Sequence, residues 1–161
     1  MSELFTTRIN IPEENIKPIV GKLNKDLAIT MQAQMVVKFA HWNVKGDGFH
    51  PTHLLFDEIY ELVADFSDTI AERITALGGI AEGKPERVMD VTGYNYGATA
   101  YDNVRNHIEA MADYISDVSN SLRDGISVCG ANKDLVSQDV YIELCRKLDK
   151  YVYFLEASLR A

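Results

Sequence analysis

Apolar residues recur every three or four positions along four long stretches of the chain, the spacing that puts side chains on one helix face. The stretches cover residues 13–44, 51–77, 99–123 and 134–159. The third is the clearest, with a stripe formed by Val104, Ile108, Met111, Ile115, Val118 and Leu122. Strand-like alternation is not convincing anywhere. The pattern therefore predicts an all-α four-helix bundle, a single domain over residues 1–161 with a short tail at residues 1–12.

The connections between these stretches predict how the helices are arranged. Loops of about six residues (first to second) and about ten (third to fourth) should each give an antiparallel hairpin. The second and third helices are joined by GGIAEGKPERVMDVTGYNYGA, which is long for a compact domain. We expect this segment to cross the length of the bundle and to carry a short helix of its own around residues 85–90.

The second predicted helix separates apolar from acidic residues. At roughly 100° per residue from His53, Asp57, Asp68 and Glu72 fall within about 100° on one side. The apolar residues of this helix lie opposite: Phe56, Ile59, Val63, Phe66, Ile70, Ile74 and Leu77. A carboxylate stripe opposite a core face is usually a solvated surface. The alternative is a metal site, because His53/Asp57 and Asp68/Glu72 are both i,i+4 pairs, a spacing that lets two side chains reach one ion.

The turn AHWNVKGDGFHPTH, residues 40–53, adds three of the four histidines of the chain. His41 lies at the end of the first helix, and an antiparallel hairpin would bring it close to His53. Imidazole together with carboxylate suits iron, zinc or manganese. We interpret His50 as a capping or surface residue, with an auxiliary metal contact as the alternative, and His107 as structural or exposed.

The length of the helix decides whether one chain can complete such a site. Asp57 and Asp68 are separated by roughly 16 Å along the helix axis, whereas ligands bind a metal at about 2.0–2.2 Å. Either each chain carries two half-sites, or another subunit completes the site. A two-fold axis would set His41, His53 and Asp57 of one chain against Asp68 and Glu72 of another.

Charge and composition narrow the class of protein. The net charge of −8 opposes nonspecific binding to nucleic acid and suits the attraction of cations, although it also fits simple solubility. Apolar runs are too short for a transmembrane helix, and the N-terminus lacks a signal-peptide pattern. Cys129 and Cys145 are too few for a disulfide framework. We therefore expect a cytoplasmic protein that is not associated with membranes.

The stretch HWNVKGDGFHPTHLLFDEIYELVADFSDTIAERITALGG resembles the Dps family, the mini-ferritins also called DNA-binding proteins from starved cells. The shared pattern is HWN-x-x-G, a histidine twelve residues after the first, an aspartate four residues later, D-x-x-x-E, and AER-x-x-x-LGG. The matching residues are His41, Trp42, Asn43, Gly46, His53, Asp57, Asp68, Glu72, Arg73, Leu77, Gly78 and Gly79. The resemblance implies a ferritin-like four-helix bundle with a long crossover between helices 2 and 3.

The resemblance also implies a function. Family members are ferroxidases and iron stores that form a hollow dodecamer with 23 symmetry and oxidise Fe²⁺ preferably with hydrogen peroxide, protecting the cell from oxidative damage. Two iron ions would bind at each site shared between two chains, and zinc or manganese could substitute. The site residues carried over are His41, His53, Asp57, Asp68 and Glu72.

Two further assignments follow from the resemblance. Asp134 and Asp139, with Glu143, align with a segment that lines three-fold pores, where negative charge attracts Fe²⁺. For Asp134, an acidic cap at a helix N-terminus is the alternative. Trp42 would lie beside the site, either as a packing residue or as a quencher of radicals.

The chain departs from the family in the feature associated with DNA. Residues 1–12 contain Arg8 and no lysine, whereas DNA binding in the family often relies on a lysine-rich tail. Twelve chains at −8 each would carry about −96. We therefore expect weak DNA binding or none. A DNA-coating nucleoid protein with weak or no ferroxidase activity is the alternative function.

Overall fold

The computed structural model describes residues 4–91 and 93–160, and the regular structure within those ranges is entirely helical. The helices are α1 (Glu13–Asn43), α2 (Phe49–Ala76), α3 (Pro85–Met89), α4 (Val104–Ala131) and α5 (Leu135–Leu159). An all-α four-helix bundle with a short extra helix is therefore confirmed. The first three residues of the expected tail lie outside the described residues. No helix in the described part of the chain is long and apolar enough to cross a membrane.

The apolar stripes predicted from the sequence form the core. Every residue of the α2 stripe, from Phe56 to Leu77, is fully buried. In α4, Met111, Ile115 and Leu122 are equally inaccessible. The beginning of α5 is the exception, because Val136 is 62% exposed while Ser137 in the same turn is fully buried. Burial of these stripes supplies the main free energy that stabilises the bundle.

The expected end of the third helix was wrong. The helix continues to residue 131 instead of 123 and begins at residue 104 instead of 99, where the Asn103 side chain caps it by accepting from the Asn106 N–H at 3.0 Å. Gly125 is an interior residue of α4. A larger residue would not fit there, because a Cβ would stand 2.4 Å from the buried Tyr141 ring. The connection to α5 is therefore the three residues 132–134, not about ten. Gly125 allows close packing against Tyr141 and does not end the helix.

The long connection between α2 and α4 follows α1 from one end to the other, as expected. The Asn24 side chain donates to the carbonyl of Ile80 at 2.9 Å, and Gln32 donates to the carbonyl of Val91 at 3.3 Å. Further along, the rings of Phe39 and Tyr96 meet edge to face with centroids 6.2 Å apart. The crossover therefore returns the chain to the end of the bundle where α1 and α2 are joined.

The interior between α1, α4 and α5 contains one ionic cluster. Lys22 Nζ donates to both carboxylate oxygens of Asp26 at 2.6 Å, and Tyr141 and Ser121 also donate to that carboxylate at 2.7 and 3.0 Å. Burial raises the pKa of Asp26, although Lys22 acts in the opposite direction. This cluster satisfies its own hydrogen bonds and includes none of the candidate metal ligands.

Candidate metal centre

A tight turn between α1 and α2 brings His41 and His53 together, as the hairpin argument predicted. Gly46 and Gly48 adopt positive φ angles of 106° and 79°, which favour glycine and let the chain reverse within residues 44–48. The two imidazole rings are stacked with centroids 3.7 Å apart and planes inclined at 23°. Residues twelve positions apart in the sequence therefore form one unit.

The backbone fixes the protonation pattern of both rings. His41 Nδ1 lies 2.9 Å from the carbonyl oxygen of His53, and His53 Nδ1 lies 2.8 Å from the carbonyl oxygen of His41. A carbonyl oxygen can only accept a hydrogen bond, so each Nδ1 must carry the proton. In the neutral ring, Nε2 then keeps its lone pair. This is the arrangement by which metal-binding histidines are oriented.

Asp57 lies one turn after His53 on α2 and is held by a lysine of α1. Lys38 Nζ donates to Asp57 Oδ1, and His41 Nδ1 lies 3.9 Å from the same oxygen. The hydrogen bond from Lys38 is the main reason that the pKa of Asp57 is lowered, so the carboxylate remains charged well into the acidic range. The ammonium also lies 4.2 Å from the centroid of the Tyr60 ring, a cation–π contact.

Asp68 and Glu72 are exposed on the same helix, further along its axis. They are separated from His53 and Asp57 by the distance that the sequence argument required, and the structure does not bring the two pairs together. Among the described residues, no three His, Cys, Asp or Glu side chains converge into a group able to hold a metal ion. One chain alone therefore presents its candidate ligands in two separate sets.

An apolar groove opens beside the histidine pair. Its volume is about 510 Å³, and it lies between α1, α2 and α3. Its most exposed apolar side chains are Trp42 at 70%, Met35 at 55% and Met89 at 77% exposure. Trp42 thus lies at the surface, next to His41 in sequence. Large apolar side chains grouped around one groove are typical of a surface that another chain covers.

The residues assigned to a pore differ in their surroundings. Asp134 is only 2% exposed, caps α5 through the N–H groups of Val136 and Ser137, and receives Arg73 Nη2 at 2.9 and 3.1 Å. Its carboxylate therefore acts as a helix cap, which was the alternative to the pore position. Asp139 and Glu143 are exposed on α5, and Glu143 pairs with Lys147 at 2.9 Å.

The two remaining histidines lie apart from the stacked pair. His50 is exposed in the first turn of α2, where Gly48 and not His50 occupies the N-cap. His107 is fully buried in α4, and its Nδ1 lies 2.7 Å from the Tyr96 hydroxyl, so it is structural. Burial lowers the pKa of His107, which keeps the ring neutral in the core.

Two residues with a role at or near the site were missed by sequence reasoning. Lys38 lies one helical turn before His41, a spacing that puts both on one face and could have indicated the contact. Arg73 was recognised only as part of a motif, and its ion pair with Asp134 joins the end of α2 to the start of α5. No pattern in the sequence indicates that pairing, because the two residues are brought together only by the packing of the bundle.

An all-helical bundle with a crossover of this kind defines a ferritin-like protein, and the family model described as a ferritin-like domain matches residues 20–161. A DNA protection during starvation protein of Agrobacterium fabrum is 32% identical over 154 residues, covering 96% of this chain and 95% of the relative. The structure of Mycobacterium smegmatis Dps superposes with a TM-score of 0.91 at 30% identity, covering 99% of this chain and 90% of that one.

A further structure is similar over nearly its whole length. Dps from Microbacterium arborescens, solved in a high iron form, has a TM-score of 0.86 at 30% identity and covers 96% of this chain and 99% of that one. The chain therefore belongs to the Dps family of ferritin-like proteins. Membership supports iron storage and DNA protection in general terms.

Proposed function

We propose that the protein is a ferroxidase and iron store whose oxidation sites are shared between two copies of the chain. One observation carries the proposal: His41 and His53 each donate Nδ1–H to the backbone of the other, which leaves both Nε2 atoms as ligands. A pair of solvated turn histidines has no reason to be oriented in this way. Asp57, charged and adjacent, supplies the carboxylate.

Completion of the site requires a second chain. Asp68 lies roughly 16 Å and Glu72 roughly 22 Å from Asp57 along α2, so those of a second copy are the ones that can approach His41, His53 and Asp57. The exposed groove around Met35, Trp42 and Met89 gives that copy an apolar surface to cover. We extend this to a hollow dodecamer with 23 symmetry on the basis of family membership, and the high iron form of the Microbacterium relative fits a storage role.

Ferrous iron is the substrate, and hydrogen peroxide is the oxidant that we favour. Each Fe²⁺ gives up one electron, and each peroxide accepts two electrons and two protons to form two molecules of water. Neutral imidazoles and carboxylates suit iron in both oxidation states, and zinc or manganese could occupy the same ligands. Both cysteines are buried and free, which fits a reducing compartment such as the cytoplasm.

Stopped-flow oxidation tests this proposal. Protein loaded anaerobically with Fe²⁺ and mixed with peroxide should show a rise in ferric absorbance, with two irons oxidised per peroxide consumed. The double variant His53→Ala/Asp57→Ala should slow the reaction by at least about tenfold. The matched control His50→Ala/Asp65→Ala changes the same residue types on α2 and should keep the rate. If His53→Ala/Asp57→Ala oxidised iron as fast as the control variant, the site would lie elsewhere.

A DNA-coating role is the second candidate, favoured only by the names of relatives such as the Agrobacterium protein. The net charge of −8 per chain and the absence of lysine from residues 1–12 oppose it. A gel shift at low salt should show no retardation, and protection of DNA would then come from removal of Fe²⁺ and peroxide. Retardation that disappears with added salt would favour the coating role.

A further inference from the structure

His107 has the one buried side-chain polar atom, among the residues that the structure describes, that lacks a hydrogen-bond partner. The residue is fully buried in α4, and nothing bonds to its Nε2. Its Nδ1 lies 2.7 Å from the hydroxyl of Tyr96, which belongs to the crossover end, the segment of residues 93–103 that leads into α4. Buried polar groups are nearly always paired, so this nitrogen calls for a physical explanation.

Neither neutral form of the His107 ring satisfies both of its nitrogens. If Tyr96 donates to Nδ1, the ring proton lies on Nε2 and has no acceptor. If Nδ1 donates to Tyr96, the hydroxyl can donate to the His107 carbonyl oxygen at 3.3 Å, and the Nε2 lone pair has no donor. A protonated ring would add a charge to the unpaired N–H, which costs more. The fold therefore tolerates the neutral ring and opposes the charged one.

The charged groups that face His107 do not compensate a positive ring. Burial is the largest effect and lowers the pKa of His107, and Lys45, in the turn between α1 and α2, lowers it further. Asp102, in the crossover end, acts to raise that pKa, but its carboxylate already accepts three hydrogen bonds from other residues. Tyr96 and Tyr114 contribute no charge, because burial raises the pKa of both hydroxyls.

Tyr96 is the main attachment of the crossover end to the bundle. Its ring packs edge to face against Phe39 of α1 and Tyr114 of α4, with centroids 6.2 and 6.4 Å away, and its hydroxyl contacts His107. Ala98 is the only buried residue in this segment. A segment with so few buried contacts can open while the helices remain folded, and its opening depends on the pairing of Tyr96 with His107.

We propose that His107 is a pH-sensitive switch: the neutral ring holds Tyr96 and the crossover end against α4, and protonation of the ring releases them while the four long helices stay folded. The switch goes beyond the ferroxidase function proposed above and does not depend on it. Its chemical step is the uptake of one proton by the imidazole when the segment opens and water reaches the ring.

The sign of the pH dependence follows from the two states. In the open state the ring is hydrated and binds a proton at its ordinary pKa near 6.5, whereas in the closed state the pKa of His107 is lower. The closed state is therefore fully favoured above that ordinary value. As the pH falls towards the lower pKa, the equilibrium constant for opening should rise by up to about tenfold per pH unit, and below it the constant should level off.

Hydrogen–deuterium exchange of the assembled protein tests the switch between about pH 7.5 and about pH 5. After correction for the intrinsic exchange rate, protection of the crossover end should fall by up to about tenfold per pH unit below the ordinary pKa. Amides in the middle of α2 and α4 should keep their protection. Asp102 cannot cause the change, because its pKa is lowered to about 2 and it stays charged throughout.

Two neutral replacements decide whether His107 is responsible. His107→Asn keeps a polar group that can bond to Tyr96, and His107→Gln is a second replacement in case the first disturbs folding. Each should make the protection of the crossover end independent of pH. His50→Asn is the matched control, because it removes an exposed histidine from the first turn of α2, and it should keep the native pH dependence.

Three results would overturn the switch. The first is protection of the crossover end that does not change with pH in the native protein. The second is a pH dependence that persists in a folded His107→Asn or His107→Gln variant. The third is an equal loss of protection in α2 and α4, which would indicate general acid unfolding. None of these results bears on the metal centre, which is tested separately by the oxidation of Fe²⁺.

Discussion

Asp134 was assigned from the resemblance to an iron-entry pore, and in the structure it makes contacts that stabilise the fold. Its carboxylate caps α5 and pairs with Arg73, whose side chain is only 12% exposed and whose Nε also donates to Ser137 Oγ at 2.8 Å. Burial acts to raise the pKa of Asp134, but hydrogen bonds from Ser137 and Arg73 outweigh it and lower the pKa. The charged form is therefore the one that the fold stabilises.

Replacing Asp134 with asparagine measures how much its negative charge contributes to the free energy of unfolding, because asparagine is as good an N-cap as aspartate. Arg73 would lose its partner while remaining largely buried, so we expect a loss of about 3 kcal/mol in the free energy of unfolding. Thermal and urea unfolding at matched chain concentration measure the difference. Asp124→Asn, at an exposed position of α4, should change stability by less than about 0.5 kcal/mol.

The loss should also depend on pH. The folded-state pKa of Asp134 is depressed, so its contribution is complete above the unfolded value near 3.8 and is lost as pH falls through the lower folded value. The stability gap between the native protein and Asp134→Asn should thus be full at neutral pH and close in strong acid. A gap that stays constant down to about pH 2 would show that the ion pair is not its cause.

At the same scale, the sequence predicted the histidine pair but not its surroundings. His41 and His53 could be placed together because a short turn between two helices leaves little freedom. Their reciprocal hydrogen bonds could not be predicted, since these depend on the φ angles of Gly46 and Gly48. Lys38 was open to prediction from helical spacing, whereas Arg73 and Asp134 are joined only by the tertiary fold.

At the scale of elements, replacing a glycine with alanine should have opposite effects on stability in α1 and α4. Gly125→Ala would place a methyl group 2.4 Å from Tyr141, whose ring is fully buried and cannot move aside without disturbing its bond to Asp26. Overpacking of this kind costs about 1–3 kcal/mol, more than the gain of up to about 1 kcal/mol in helix propensity. We expect a net destabilisation, measured by thermal unfolding.

Gly21→Ala is the control, because a Cβ at that position in α1 meets no atom within 4 Å. Only the propensity term remains, and the variant should be more stable by about 0.5–1 kcal/mol. If both variants were stabilised, the close packing of α4 against α5 at Tyr141 would be incorrect.

This contrast explains which element boundaries could be predicted. Residues 13 and 159 coincide with predicted ends because the apolar pattern itself stops there. Pro51 was expected to open α2 but is its third residue, a position where a missing N–H is equally harmless. The end predicted at residue 123 was wrong, since local propensity cannot reveal that the buried Tyr141 ring requires the space left by Gly125.

At the scale of the whole molecule, the sequence predicted the core of the chain but not its exposed apolar groove. The apolar stripes predicted the core well, because each helix has one face that must be buried. The grouping of Met35, Trp42 and Met89 was not predicted, because α3 reaches the groove only through the crossover. This groove lies beside the candidate ligands of the proposed shared site. A change that prevents two copies from associating should therefore also stop the oxidation of Fe²⁺.

Met35→Glu tests that coupling. Met35 is 55% exposed in the single chain, so the variant should keep its helical content, but association would bury an added carboxylate in an apolar groove. Native mass measurement should show dissociation to smaller species, and peroxide-dependent oxidation of Fe²⁺ should fall at least about tenfold although His41, His53 and Asp57 are unchanged. Asn120→Glu adds the same charge to an exposed position of α4 and should preserve both mass and rate. A dissociated Met35→Glu chain that still oxidised iron at the native rate would show that a single chain holds a complete site, because its own ligands would then suffice without those of a second copy.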